Sequence, residues 1–341
     1  MNVDILGIDL AKRVFQLHGA DSNGSVAHRS KVSRSSLQEA VRQLRPRVVA
    51  MEACSSAHHW GRCFQAMGIG VRLISPQYVS PFVKTNKNDR NDAEAIVEAA
   101  MRPTMRFVPV KSIDQQDIQA THRIRELLMR QRTAVINQIR GLLGERGQVM
   151  PQSPQALRRS LPDILGGGDP EVTEVCLSLI NEMQGHLLGI EERLALLDLR
   201  IKAFMKQSAL CQKIAGLEGI GPITATAIVG AVGDAKDFRN GRHLSAWLGL
   251  VPRQYSSGGK ARQQGISKRG DSYLRRLVIH GARAALKYIA GKTDPRSRWI
   301  QDLIARRGYN RAVVALANKN ARIIGSLLSS DRNYTPAAAF A

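Results

Sequence analysis

Val3-Asp4-Ile5-Leu6-Gly7-Ile8-Asp9 is a short apolar run that closes on an acid. A run of this length reads as a buried strand. Lys12 follows, and Val14, Phe15, Leu17 and His18 predict a second strand. Leu37, Val41 and Leu44 repeat at helical spacing within Ser35 to Leu44, and Val48-Val49-Ala50-Met51-Glu52 is another apolar strand ending in an acid. His58 to Met67 reads as a helix, Val71-Arg72-Leu73-Ile74 as a strand, and Asp89-Arg90-Asn91-Asp92-Ala93-Glu94-Ala95-Ile96 as the start of a helix reaching Val97 and Met101. The order β-β-(β)-α-β-α-β-α predicts an α/β fold, a mixed sheet with flanking helices. Sites in such folds lie at strand ends.

The acids in this region are placed accordingly. Asp89 and Asp92 are three residues apart, on one helical face. Two carboxylates held close are costly without a cation, which makes them candidate ligands flanked by Lys84, Lys87 and Arg90. They also suit a helix N-terminus simply as caps and charges. Asp9 and Glu52 can converge on the same point from their strand ends, although an acid after a strand also serves as a turn residue or a helix N-terminal charge. Four such acids would suit two divalent ions about 4 Å apart, clamping the attacking and leaving oxygens of a phosphoryl displacement. Oxygen-only ligation favours Mg²⁺ or Mn²⁺ over zinc. His58, His59 and Trp60 are adjacent on a helix and face apart, so packing or surface roles suit them better than catalysis.

Fifty Lys and Arg against 28 Asp and Glu give the 341-residue chain a net charge of +22, which calls for a polyanionic partner, most simply nucleic acid. No stretch approaches eighteen uninterrupted apolar residues, and the start Met1-Asn2-Val3-Asp4 has neither basic nor apolar signal character, so a soluble cytoplasmic protein without membrane contact is expected. Cys54, Cys63, Cys176 and Cys211 show no zinc spacing, and each is expected in a helix as a reduced, buried hydrophobe.

Beyond residue 110 the pattern turns helical. Asp114 to Arg146 reads as a long basic helix, broken by Pro151, Pro154, Pro162 and Gly166-Gly167-Gly168. Its Arg123, Arg125, Arg130, Arg132 and Arg140 are either a nucleic-acid groove or a solvated face. Cys176, Ile180, Met183, Leu187, Ile190, Leu194, Leu197, Ile201 and Phe204 step by three and four, a heptad seam for a coiled coil. Its partner is the first helix folded back or another subunit, and a dimer or tetramer built through this spacer is expected. Leu217-Glu218-Gly219-Ile220-Gly221-Pro222 suggests a helix-hairpin-helix in which Gly219 and Gly221 let the backbone approach a phosphate, or else an ordinary turn.

The densest positive patch runs from Arg253 to Arg276, where seven basic residues, Arg253, Lys260, Arg262, Lys268, Arg269, Arg275 and Arg276, meet one acid. Within it lies Tyr255-Ser256-Ser257-Gly258-Gly259-Lys260, read as a flexible phosphate-contacting loop or as the seat of a hydroxyl nucleophile supported by nearby cations. Helices are expected at 296–306 and 311–328. The domains expected are 1–110, an α/β catalytic domain; 111–207, a helical coiled-coil spacer; 208–330, a mainly helical C-terminal domain; and 331–341, a disordered tail.

Gly7-Ile8-Asp9-Leu10-Ala11-Lys12, Met51-Glu52-Ala53 and Asp89-Arg90-Asn91-Asp92-Ala93 resemble the DEDD, RuvC-like (RNase H fold) domain of insertion sequence 110/1111 transposases and the related Piv-type DNA invertases. Sugar kinases and actin share a related fold but carry glycine- and threonine-rich phosphate loops after the first Asp, where this chain has Ala11-Lys12. Gly249-Leu250-Val251-Pro252-Arg253, Ser257-Gly258-Gly259-Lys260 and Ile266-Ser267-Lys268-Arg269-Gly270-Asp271 are similar to the C-terminal transposase domain of the same family. The resemblance covers roughly residues 3–328, with no mapped motif in 145–175. It implies that Asp9, Glu52, Asp89 and Asp92 hold Mg²⁺ and that a serine attacks DNA covalently. The position before Gly258 matches Ser257, with Ser256 as the alternative register. It further implies that domains of different subunits combine, and that a structured RNA from the element selects target and donor DNA. A hydrolytic RuvC-like junction nuclease and a non-catalytic basic DNA- or RNA-binding protein are the competing readings.

Overall fold

The computed structural model describes residues 2–84, 89–257 and 260–335, excluding the side chains of 89–90, 256–257 and 260–263. Two compact units divide between Ile113 and Asp114.

The first unit is built on a six-stranded sheet. Its strands are β1 (Ile5–Asp9), β2 (Val14–Ala20), β3 (Val26–Ser33), β4 (Val48–Glu52), β5 (Gly70–Ile74) and β6 (Phe107–Val108), in the order β3-β2-β1-β4-β5-β6. β1, β4 and β5 run parallel, and β2, β3 and β6 join antiparallel. The helices are α1 (Leu37–Leu44), α2 (Ala57–Ala66), α3 (Pro76–Val79) and α4 (Asp89–Met101). Alternation along the central strands fills both faces. Leu6, Ile8, Val49 and Met51 pack with Trp60 and Phe64 of α2, whereas Ile5, Val48 and Ala50 pack with Ile96, Val97 and Ala100 of α4. This is the mixed sheet with flanking helices that the element order predicts. Trp60 lies in the core, edge-on to Phe15 and stacked on Phe64, and His58 Nδ1 accepts the Lys111 amide at 3.2 Å, which gives both packing roles.

The second unit opens with α5 (Ile113–Gly144), α6 (Pro154–Leu165) and α7 (Glu174–Gln207). Arg125 pairs with Asp198 at 2.6 Å and Arg132 with Glu191 at 2.7 Å. Seven residues up α5 thus correspond to seven down α7, so the two run antiparallel. Leu128 packs with Ile190, Leu194 and Leu197, and Ile136, Ile139 and Leu143 pack with Cys176, Ile180 and Leu187. The seam of α7 therefore meets the folded-back first helix. The prolines expected only as breakers build α6 instead. Pro154 takes the first helical position, where no amide is needed, Ser153 accepts the Ala156 amide, and Leu157 and Leu161 are buried.

The rest of the unit comprises α8 (Ala209–Ala215), α9 (Pro222–Val232), α10 (Gly241–Trp247), α11 (Ser272–Leu286), α12 (Pro295–Arg307) and α13 (Tyr309–Leu328). They share a core that includes Ile214, Leu244, Val278, Leu316 and Ile324. The stretch expected as a flexible loop is in fact a hairpin of β7 (Pro252–Ser257) and β8 (Lys260–Ile266). Of the expected tail, residues 336–341 lie outside the described residues, and Tyr334 packs on the core. Cys54 lies in the bend after β4 rather than in a helix, and both it and Cys63 are half-buried. Among the described residues no helix is long and apolar enough to cross a membrane.

Candidate functional site

The carboxylates of β1 and β4 are set by strand alternation. Ile8 pairs with Met51, so Asp9 and Glu52 follow at the same level on neighbouring parallel strands. Both lie on the face that Ile5, Val48 and Ala50 turn toward α4. Both are half-buried, and their charges reach Cys54: burial first, then Glu52, then Asp9, pushes its thiol up from the ordinary range. The amide of Cys54 donates to Glu52 O at 2.8 Å.

α4 rests directly on this face because β1 carries Gly7. A Cβ at Gly7 would lie 2.6 Å from Ala93 O and 2.6 Å from Val97 Cγ2. At the other end of the helix, Met101 sits beside Gly24 in the turn after β2, where Ala20 pairs with Ile5. α4 therefore runs antiparallel to β1, and its N-terminal turn, with Asp89 and Asp92, leads toward the sheet end that bears Asp9 and Glu52. Asp92 is half-buried, and the Asp89 side chain lies outside the described ones. Among the described residues, no three carboxylate, imidazole or thiol groups stand close enough to hold a metal ion. The structure brings Asp9 and Glu52 side by side, then, without completing a ligand cluster from the described side chains.

The cations around α4 divide in a way the sequence does not reveal. Lys84 pairs with Glu94 at 2.5 Å and Arg29 reaches the same carboxylate at 3.3 Å. The Lys84 hydrogen bond holds the Glu94 carboxyl below the usual range. Lys84 thus anchors α4 through Glu94. Lys87 lies outside the described residues, as does the side chain of Arg90.

In the second unit, Ser256 pairs with Ala261 and Ser257 with Lys260, so both serines end β7. Their side chains and those of Lys260 and Arg262 lie outside the description, as do Gly258 and Gly259 entirely. The base of the hairpin is locked backbone to backbone. Gly249 (φ +74) leaves no room for a Cβ against Arg269 O, and Gly270 (φ +85) leaves none against Trp247 O. Lys268 N donates to Gly249 O at 3.1 Å and Ser267 N to Val251 O at 2.8 Å. These two glycines, both inside recognised motifs, serve the interlock.

The basic patch splits into structural and outward groups. Arg275 donates to Leu248 O at 3.2 Å and Arg269 O at 3.1 Å, bracing the interlock. Arg276 pairs with Glu126 at 2.5 Å and lies over the Tyr273 ring. Arg253, Lys268 and Arg269 are exposed. On α5, Arg125 and Arg132 are taken by ion pairs and Arg140 donates to Pro151 O and Gln152 O. Gly219 (φ +86) faces Gly281 of α11, where a Cβ would lie 2.5 Å from the Gly281 carbonyl oxygen. Gly221 has open space around it.

A buried polar chain ties α5, α9 and α11 together. Thr226 donates to Pro222 O at 2.7 Å, so it accepts from His122 Nε2 at 2.9 Å. His122 Nδ1 then accepts from the Tyr273 hydroxyl at 2.9 Å. Burial, aided by Arg125 and opposed by Asp198, lowers the His122 pKa to about 4, in keeping with a neutral ring. The only sequence signal for it is a histidine on the apolar stripe of α5.

A family profile described as DEDD transposase matches residues 6–146, and one described as the IS116/IS110/IS902 transposase family matches residues 211–298. A "Probable family 20 transposase" of Pseudomonas aeruginosa is 49% identical over 337 residues, covering 98% of this chain and 100% of that protein. The "Transposase for insertion sequence element IS1111A" of Coxiella burnetii is 47% identical, over 98% of this chain and 92% of its own length. The "Transposase for insertion sequence element IS1328" of Yersinia enterocolitica is 38% identical, over 94% and 96%. An acid-bearing mixed sheet under the first profile and a basic hairpin domain under the second, with full-length relatives at this identity, place the chain in the IS110/IS116/IS902 family of insertion-sequence transposases.

Proposed function

We propose that the chain cuts and rejoins DNA by metal-dependent phosphoryl transfer, with Asp9, Glu52, Asp89 and Asp92 around the scissile phosphate and Ser257 as nucleophile. The observation that carries this reading is the level placement of Asp9 and Glu52 on adjacent strands, with α4 leading Asp89 and Asp92 toward the same end. The donor set is all oxygen and fits Mg²⁺ or Mn²⁺, which when bound would neutralise charge developing on the phosphate. Cys54, with its thiol pushed up by burial and the two acids, is a poor competitor as a ligand, because ligation needs the thiolate.

On the serine side, Oγ of Ser257 forms a bond to phosphorus, the bond from phosphorus to the deoxyribose oxygen breaks, and the serine proton is lost as the leaving oxygen takes one up. Ser256 is the alternative register. One phosphodiester replaces another, so rejoining needs no external energy, which hydrolysis would forfeit. The position of Ser257 at the end of β7, paired with Lys260, with Arg253, Lys268 and Arg269 exposed nearby in the chain, supports a strand that enters a phosphate-rich groove. Gly221 at the α9 N-terminus is open to a further phosphate in a helix-hairpin-helix manner. An element-encoded structured RNA that pairs with target and donor would supply sequence choice, since the basic surfaces offer backbone contact rather than a base-reading module. The α5–α7 hairpin acts as the coiled-coil spacer between the two chemistries, in a dimer or tetramer.

The test incubates the protein with Mg²⁺, copurifying RNA and DNA bearing the element's ends, then separates products on a denaturing gel. The expected product is a covalent protein–DNA band, lost in both Ser257→Ala and Asp92→Asn. Cut ends without an adduct, undiminished in Ser257→Ala, would replace the serine reading with a hydrolytic nuclease. Tight binding without any metal-dependent product would leave a non-catalytic binding protein.

A further inference from the structure

A second cluster of cations lies away from the hairpin in sequence, where α10 and α13 cross. The crossing is made by glycines: Gly241 meets the Arg322 backbone with no room for a Cβ, and a Cβ on Gly325 would stand 2.9 Å from Gly241 Cα. Because the backbones meet, the longer side chains splay outward and bound a cleft of about 430 Å³. Lys319, Arg322 and Ser326 line one wall at i, i+3 and i+7, one face of α13, and Asn240 and Arg242 line the other. Among the described residues, no carboxylate lines it.

Here the exposed Arg242 and the half-buried Lys319 and Arg322 line one concavity, so their positive potentials add there and attract an anion. The Lys319 ammonium is pushed below the ordinary lysine range by burial and then by Arg322, so the two cations feel each other. Two guanidinium forks match the paired oxygens of a phosphate, with the amine as a point charge and the Ser326 hydroxyl as a neutral donor. The cleft also exceeds what a lone carboxylate would fill, leaving space for a flanking sugar.

We propose that the cleft between α10 and α13 is a phosphodiester-binding site, gripping one backbone phosphate of a nucleic acid through Arg242, Lys319 and Arg322. It deepens, and rests on, the reading of the chain as a nucleic-acid-processing transposase. The phosphate belongs to DNA or to RNA, and the two sources are separated by experiment.

The full chain is titrated with fluorescent duplex DNA and, separately, with a structured RNA hairpin over a series of salt concentrations. The set is wild type, Arg242→Gln, Arg322→Gln and Lys236→Gln, whose lysine is already paired with Asp234. Each cleft variant is expected to reduce the slope of log affinity against log salt by about one for the nucleic acid that occupies the site, with Lys236→Gln unchanged. A change with DNA alone or RNA alone identifies the source. Slopes equal to wild type for both nucleic acids would overturn the site while leaving the transposase reading intact; failure of wild type to bind either would overturn both. Should a variant fail to fold, acylation of Lys319 in wild type, read by peptide mass spectrometry, gives an independent measure. Saturating nucleic acid is expected to slow it several-fold, and undiminished labelling would overturn the proposal.

Discussion

The acidic sheet end of the first unit and the serine hairpin of the second are built in opposite ways. Asp9 and Glu52 are placed by strands buried on both faces, and α4 is pinned above them by Gly7 and by Glu94 with Lys84 and Arg29. Ser256 and Ser257 sit at the end of a ribbon that, among the described residues, has two strands and is fixed at its base, where Gly249 and Gly270 interlock. The first arrangement suits groups that must not move as charge develops, since preorganised groups cost no reorganisation. In the proposed reaction, the second would suit a serine that reaches into a groove and carries a strand away.

The largest effect that tests this contrast is chemical. Asp92→Asn is expected to lower metal-dependent strand transfer by a thousandfold or more, about 4 kcal/mol of barrier, with DNA affinity within about twofold of wild type. The pair Lys268→Gln and Arg269→Gln is expected to do the reverse, weakening binding and its salt dependence while leaving turnover at saturation. If Asp92→Asn binds poorly but reacts normally once bound, the division of labour is wrong.

Next comes stability between pH 7.5 and 5, where the loss is expected in the second unit, because the lowered Glu94 carboxyl of the first unit gives up its contribution only at lower pH. The folded His122 pKa of about 4 lies below the ordinary 6.5, so protons favour the unfolded chain. The contribution is constant above about pH 6.5 and is lost as pH falls toward 4, reaching at most about 3 kcal/mol. Hydrogen exchange across a urea series at pH 7.5 and pH 5 should show helices α8–α13 weakening more than the sheet, and His122→Gln should abolish the difference. Equal weakening in both units would assign it to other groups.

A smaller effect concerns glycines. Gly7→Val should destabilise the first unit by about 1–3 kcal/mol, because the helix above must shift. Gly265→Ala, with open space at its Cβ, should change urea stability by less than about 0.5 kcal/mol. Similar costs would show that the close approach of α4 is not a constraint. The smallest is the Arg125–Asp198 pair, for which a double-mutant cycle should give below about 1 kcal/mol, since Asp198 is partly exposed.

The first unit was the more legible because strands buried on both sides leave apolar runs, and the acids that end them stand out. Asp9 and Glu52 follow from that alone, and the start of α4 at Asp89 from its helical spacing. The hairpin was illegible as strands: Arg253, Gln254 and Tyr255 are all exposed, so no apolar face marks the period. The interlock of Gly249 with Gly270 joins two loops by backbone contact, which leaves no pattern in side chains. α6 is hidden because Pro154 reads as a breaker when it stands at a helix start. The pairing of Glu94 with Lys84 leaves no sequence signal, because it depends on how the chain approaches α4.

The antiparallel pairing of α5 with α7 also makes that hairpin a counting device. Moving from Arg125 to Arg132 on one arm moves the partner from Asp198 back to Glu191 on the other. One residue deleted from a single arm would rotate everything beyond it by about 100° and break every later pairing, whereas a heptad removed from both arms at matched levels would preserve them all. The reach of this segment can therefore change only in paired steps of about 10 Å, like notches on a ratchet.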